Sequence, residues 1–314
     1  VNSAVPETPV PFSSHEADRV RAVWSDLGLP GIIDAHTHFM PRPVMDKVWA
    51  YFDSAGPLVG REWPITYRAD EDVRVATLRE FGIRAYSSLV YPHKPNMAEW
   101  LNGWAHDFAT NHEDCLHTAT FYPEESATAY VSRAIQAGTQ VFKSHIQVGD
   151  YSPMDSLLDG VWSQIADSQV PVIIHCGSGP APGRYTGPEP VRALLHRFPS
   201  LPLIIAHMGM PEYEAFLDLA QEYPNVHLDT TMAFTDFAEE LAPTPADLRA
   251  RLADVGDKVL FGSDFPNIPY GYTHALEVTT ALDMGDDWLR NVFYRNGARL
   301  FGVDTTGGGP ADRR

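Results

Sequence analysis

Cysteine is scarce. Cys115 and Cys176 are the only two in 314 residues, and neither belongs to a Cys-x-x-Cys pair. That argues against a disulfide framework or a thiolate metal cage, and reduced thiols are expected. Positive charge is also in short supply, with 23 Lys and Arg against 41 Asp and Glu, a formal net charge of -18. Nucleic acid and anionic membrane surfaces would repel such a chain, so the expected partner is a small-molecule substrate; assembly into a homo-oligomer is compatible with this. No apolar run approaches the roughly 18 to 20 residues of a membrane span, and neither end pairs a basic segment with an apolar stretch. A soluble, cytoplasmic protein is expected. The first strand is not followed by Gly-x-Gly-x-x-Gly, which removes the main support for a dinucleotide-binding sheet.

What is present is ordinary globular usage, 44% hydrophobic and 20% charged, enough for one large core. Residues 1 to 12 read as a loose arm. Ser13-x-x-Glu16 resembles a capping box ahead of Ala17, Val20, Val23, Trp24 and Leu27, with Gly28 and Pro30 as the stop. An arm and helix (1–30) therefore precede a main domain (31–302), and the polar, Gly-rich end (303–314) reads as a flexible tail. Within the main domain, apolar runs begin near 31, 83, 115, 139, 170, 201, 225 and 259. Helical segments such as 97–110, 124–137, 154–168, 190–198 and 211–222 separate them. Eight βα repeats in about 250 residues predict an α/β fold, a (β/α)8 TIM barrel, with an open doubly wound sheet as the alternative.

The connection after strand one, 40–69, is long and carries Trp49, Tyr51, Phe52, Trp63 and Tyr67. A loop of that length is expected to cap the barrel mouth with an aromatic wall suited to an apolar substrate.

Strand one ends in Asp34-Ala-His36-Thr-His38. Alternation puts His36 and His38 on one face, aimed at one point, and paired imidazoles suit a divalent cation. Later strands repeat the pattern: Lys143 and His145 share a face on strand four, His175 stands on five, His207 on six and Asp264 on eight. All fall toward the carboxyl ends, the rim where barrel enzymes build their sites. Asp34 is expected to orient the His36 imidazole. Arg184, Tyr91, His93, Lys94 and Trp63 are candidates for holding substrate, the first four through a carboxylate, and His145 is a further mouth residue.

These motifs resemble the amidohydrolase superfamily: Asp-Ala-His-Thr-His, Lys143, Ile-Ile-His-Cys-Gly, Ile-Ala-His-Met-Gly and Phe-Gly-Ser-Asp-Phe-Pro. The last two resemble its amidohydrolase-related branch, which contains hydrolases, decarboxylases and hydratases. The resemblance implies that His36, His38 and Asp264 hold a first metal. In its binuclear scheme Lys143 is carboxylated at N6 and bridges, while His175 and His207 hold the second ion. In its mononuclear scheme His175 completes the single site and His207 is catalytic. The implied cofactor is one or two divalent ions, zinc, iron or manganese.

A strand-four lysine favours the binuclear hydrolase. A metal-activated water would attack an ester, thioester, lactone or amide of a small, largely apolar carboxylic acid derivative, with Asp264 accepting and returning the proton. The alternative is a mononuclear decarboxylase or hydratase acting on an aromatic or unsaturated carboxylic acid.

Overall fold

The computed structural model describes residues 13–303. The expected arm and all but the first residue of the expected tail lie outside the described residues. Eight short strands alternate with helices: β1 (Ile32–Asp34), β2 (Ile83–Tyr86), β3 (Thr118–Thr120), β4 (Val141–His145), β5 (Val172–His175), β6 (Leu203–Ile205), β7 (Val226–Asp229) and β8 (Val259–Leu260). Strands β3 to β8 pair in chain order, and β1 pairs with β2, all in parallel. Parallel bridges Tyr86–Cys115 and Thr37–Phe265 join the two groups. Backbone hydrogen bonds reinforce both seams, Leu116 N–H to Tyr86 C=O at 2.7 Å and His38 N–H to Phe265 C=O at 2.7 Å. The result is the expected (β/α)8 barrel. Runs such as Val172-Ile173-Ile174 and Leu203-Ile204-Ile205 are buried on both faces, as strands covered by helices outside and filled inside must be.

The barrel interior is closed at one end. Ile33, Ala85, Leu116, Val141, Ile173, Ile204 and Leu260 pack together there, plugged by Tyr294, Ala298 and Phe301. Val141 and Ile173 precede Lys143 and His175 by one strand period. The same inward face is therefore apolar below and ionisable above.

Period-two alternation runs out before several of the residues it was expected to aim. Strand β1 is irregular between Ile32 and Ile33 and ends at Asp34, so His36 and His38 lie in the segment that follows it. His207 lies in a tight turn, Ala206–Gly209, with φ +54°. Asp264 lies beyond β8 with φ +71°. Only Lys143, His145 and His175 stand on strands. Gly262 makes room for the others: a Cβ there would come within 2.7 Å of His36 Cβ and 2.2 Å of Thr231 Oγ1.

Ser13 caps the first helix, α1 (Ser14–Asp26), by accepting the Glu16 N–H at 3.1 Å. The reciprocal half of the capping box does not form, because Glu16 accepts the Tyr67 hydroxyl at 2.6 Å. A buried phenol has no water to turn to, whereas an exposed helix N–H does. Much of the segment expected as a loop, 40–69, is helical: α2 (Arg42–Ser54) and α3 (Gly56–Val59). Two indoles fasten it over the barrel. Trp49 donates to Asn267 Oδ1 at 3.0 Å and Trp63 to the Asn267 carbonyl at 2.7 Å. No helix among the described residues is long and apolar enough to cross a membrane.

Candidate active site

A cavity of about 770 Å³ opens above the apolar plug. Its floor is ionisable and its upper wall apolar. His36, His38, Lys143, His145, His175, His207 and Asp264 all line it. So do Tyr91, His93, Lys94 and Trp63, together with Lys47, Tyr51 and Phe52 from the helical excursion. The aromatic wall is thus partial: Trp49 and Tyr67 are buried in the packing instead. Arg184 departs from expectation, being exposed and stacked over the Tyr185 ring at 5.0 Å, outside the lining.

Three imidazoles of the floor are held through Nδ1. His36 Nδ1 lies 2.9 Å from Asp229 Oδ2, His38 Nδ1 2.9 Å from the Leu89 carbonyl, and His207 Nδ1 3.1 Å from the Thr231 carbonyl. His175 instead bonds through Nε2, 2.9 Å from the carbonyl of Gly179, a residue of the cavity lining. An acceptor on the outer nitrogen demands a proton there, so in the neutral ring the inner nitrogen presents a lone pair. Outer partners of this kind on His36, His38 and His207 are what metal-bound histidines require. One ligand atom each from His36, His207 and Asp264 lie within 4.8 Å of one another. His38 Nε2 lies 2.9 Å and His36 Nε2 3.6 Å from Asp264 Oδ1.

The electrostatics follow from burial. Desolvation lowers the His175 pKa to about 3 and that of His207 to about 4, and holds His36 well below its ordinary value. Burial would raise the Asp264 pKa, but the His38 hydrogen bond and the surrounding imidazoles outweigh it and keep the carboxyl well below its usual range. Lys143 is fully buried, its Nζ 3.4 Å from His36 Nε2, and desolvation lowers its pKa to about 8 against the pull of Asp229 and Asp264. Nitrogen and carboxylate donors on such a floor fit a divalent cation of the zinc, iron or manganese kind.

Asp34 does not orient the His36 ring. Its Oδ1 accepts the backbone N–H groups of His36 and Ser263 at 3.2 and 3.1 Å, and its Oδ2 accepts the Ser263 and Tyr272 hydroxyls at 2.6 and 2.7 Å. It knits the segments after β1 and β8 together, and Asp229 takes the orienting place. Asp229 ends β7, and the rim argument applied to strands four, five, six and eight would have reached it on seven. Nothing in the sequence marks the Leu89 and Thr231 carbonyls, because any residue supplies one.

Residues 33–303 match the family model described as Amidohydrolase. The chain belongs to the amidohydrolase family. Members of that family are metal-dependent enzymes, hydrolases and decarboxylases among them. No curated protein matches this amidohydrolase. Its fold is shared by an uncharacterised TIM-barrel protein from Bordetella bronchiseptica, at TM-score 0.71 and 19% identity over 87% of this chain and 98% of that one. A 5-carboxyvanillate decarboxylase from Novosphingobium aromaticivorans, with bound manganese, aligns at TM-score 0.62 and 14% identity over 89% and 99%. A probable 2-pyrone-4,6-dicarboxylic acid hydrolase from Acinetobacter baumannii aligns at 0.58 and 15% over 87% and 100%.

Proposed function

We propose that this amidohydrolase is a binuclear metal-dependent hydrolase acting on an ester, thioester, lactone or amide of a small, largely apolar carboxylic acid. The observation that carries the reading is Lys143. Its ammonium would sit fully buried, 3.4 Å from a nitrogen whose lone pair faces the cavity. Beside bound cations that charge is repelled, and loss of the proton leaves an amine able to take up carbon dioxide. The carbamate would be an anion where the floor otherwise offers one carboxylate, Asp264, among imidazoles.

In this reading His36, His38, His175, His207, Asp264 and carboxylated Lys143 would hold the ions. Bound divalent ions supply a water acidic enough to attack near neutral pH and an electrophile for the scissile carbonyl. Asp264, whose carboxyl is held well below its usual range, accepts a proton during attack and returns it to the leaving group. Tyr51, Phe52 and Trp63 cover the apolar part of the substrate, while His93, Lys94 and Lys47 stand where a carboxylate would enter.

A mononuclear decarboxylase or hydratase is the second reading. The aromatic lining suits an aromatic acid, and several fold relatives are decarboxylases. His207 is then the proton donor. Metal counting separates the two. Two equivalents per chain, dependent on bicarbonate during reconstitution and accompanied by hydrolysis within a panel of lactones and aryl esters, support the first. One equivalent indifferent to bicarbonate, with release of carbon dioxide from aromatic acids, supports the second.

A further inference from the structure

We propose that His145 and Tyr91 form a two-donor cradle for a carboxylate or carbonyl oxygen of the substrate, and that His145 takes no part in holding metal. By sequence position His145 looks like another ligand, because it shares the inward face of β4 with Lys143. Its hydrogen bonding says otherwise. The Nδ1 atom accepts the Val148 N–H at 3.4 Å, capping the short helix Ile146–Gly149. A ring nitrogen that accepts a hydrogen bond carries no proton, so the neutral ring carries its proton on Nε2. This is the reverse of His36, His38 and His207, whose Nδ1 atoms face carbonyl or carboxylate oxygens and whose Nε2 atoms carry the lone pair in the neutral ring. Those three offer electron pairs at Nε2; His145 offers a hydrogen there.

The ring is fixed where that hydrogen is useful. It stacks on His175, centroids 4.2 Å apart and planes 19° apart, and meets Tyr91 at 4.8 Å. Tyr91 also packs edge-on against His38 at 5.7 Å. Both residues line the cavity. Among the described residues, neither His145 Nε2 nor the Tyr91 hydroxyl has a protein partner, yet neither is sealed from the cavity. Two donors without acceptors, on rings in contact beside the histidine cluster, fit one oxygen with two lone pairs. The apolar wall above them selects an oxygen borne by an apolar group. The inference rests on the proposed function only in taking this cavity as the substrate site.

The test uses zinc-loaded protein and benzoate, a carboxylate on an apolar ring. Two-bond 1H–15N correlation of histidine-labelled protein, with His145→Gln for assignment, reads the tautomer directly; protonated Nε2 and bare Nδ1 are expected. Benzoate binding, followed by fluorescence of the cavity residues Trp63 and Trp100, should weaken by about tenfold or more in Tyr91→Phe and in His145→Ala. His145→Gln retains an N–H donor and should recover part of the loss, and zinc per chain should equal the parent's in all three. The opposite tautomer, loss of zinc in His145→Ala, unchanged benzoate affinity in both variants, or no benzoate binding by the parent overturns the proposal. None of these readouts involves turnover, so a failure of the hydrolase reading is seen separately, in the ester and lactone panel.

Discussion

The Nε2 atom of His38 lies 2.9 Å from Oδ1 of Asp264, while the other nitrogen of the same ring is committed to the Leu89 carbonyl at 2.9 Å. In the neutral ring this sets two lone pairs against each other at hydrogen-bond distance. Such a contact needs a cation between its partners, either a proton or a metal ion. A positive charge, either a proton held by the His38 ring or a bound cation, therefore belongs between His38 and Asp264.

Asp264→Asn tests what the carboxylate does beyond binding. The amide oxygen keeps one neutral donor, so the metal content of Asp264→Asn should stay close to the parent's, whereas His36→Ala should lose metal. Turnover should fall by about 10²- to 10⁴-fold, the usual worth of a positioned proton acceptor. Parallel metal analysis and rate measurement decide it, and comparable rates in Asp264→Asn and the parent remove Asp264 from the chemistry.

Asp229→Asn probes the layer behind the ligands. Asp229 Oδ2 takes the His36 Nδ1 proton at 2.9 Å, while Oδ1 accepts the backbone N–H groups of His207 and Thr231 at 2.9 and 3.1 Å. An amide that keeps its oxygen on the two backbone donors turns its NH2 toward His36, donor against donor, and drives the ring to the wrong tautomer. Metal affinity should drop by about 10- to 100-fold, read by competition with a chelator. An unchanged affinity would show that the His36 tautomer is set elsewhere.

Much of this site was legible because ligand types recur at equivalent places in repeated βα units. Lys143 and His175 sit on strands and obey alternation, and His36, His38, His207 and Asp264 reach the same cavity although alternation does not extend to them. Their placement comes from bends: left-handed backbone at His207 and Asp264, and the close approach that Gly262 permits. No periodicity encodes such bends. The barrel was readable for a related reason, since both-face burial writes each strand as an apolar run. The helices of the excursion after β1 were not, and both open with a proline, Pro43 and Pro57, in the first turn, where proline fits. Arg184 follows His175 by nine positions in the sequence, which says nothing about where a loop carries a side chain.

Lys47→Met and Lys94→Met test the mouth. Both lysines are exposed, line the cavity and lie near His93, whose pKa falls through burial and then through these two charges. Exposed charges act weakly, about 0.2 to 1 kcal/mol each. The KM for an anionic substrate should accordingly rise a few-fold in each variant, kcat should hold, and the effect should fade in 1 M salt as screening shortens its range. A kcat loss, or an equal KM change with a neutral substrate, would move these lysines out of the capture role.

The buried imidazoles also fix how the metal-free fold responds to acid. His207 has an ordinary value of 6.5 and a folded value of about 4; His175 goes from 6.5 to about 3. Between those limits the unfolded chain binds protons that the folded chain refuses, so stability falls as pH falls below 6.5. For His207 the linkage is on the order of 3 kcal/mol. Lys143 acts in the same sense at higher pH, its folded value of about 8 lying under an ordinary 10.5. Asp34 opposes, because burial raises its folded value from 3.8 to about 7, so that it favours the folded state as pH falls through that window. Comparing parent with His207→Gln cancels the Asp34 contribution. Urea midpoints of metal-stripped protein at pH 7.5, 5.5 and 4.5 should drop faster for the parent than for the variant. Bound metal should restore the parent's midpoint at pH 7.5 more than at 5.5, since protons then compete for the same nitrogens. Parallel curves for parent and variant would mean that His207 is as easily protonated folded as unfolded, and that its lone pair is not held ready for a cation.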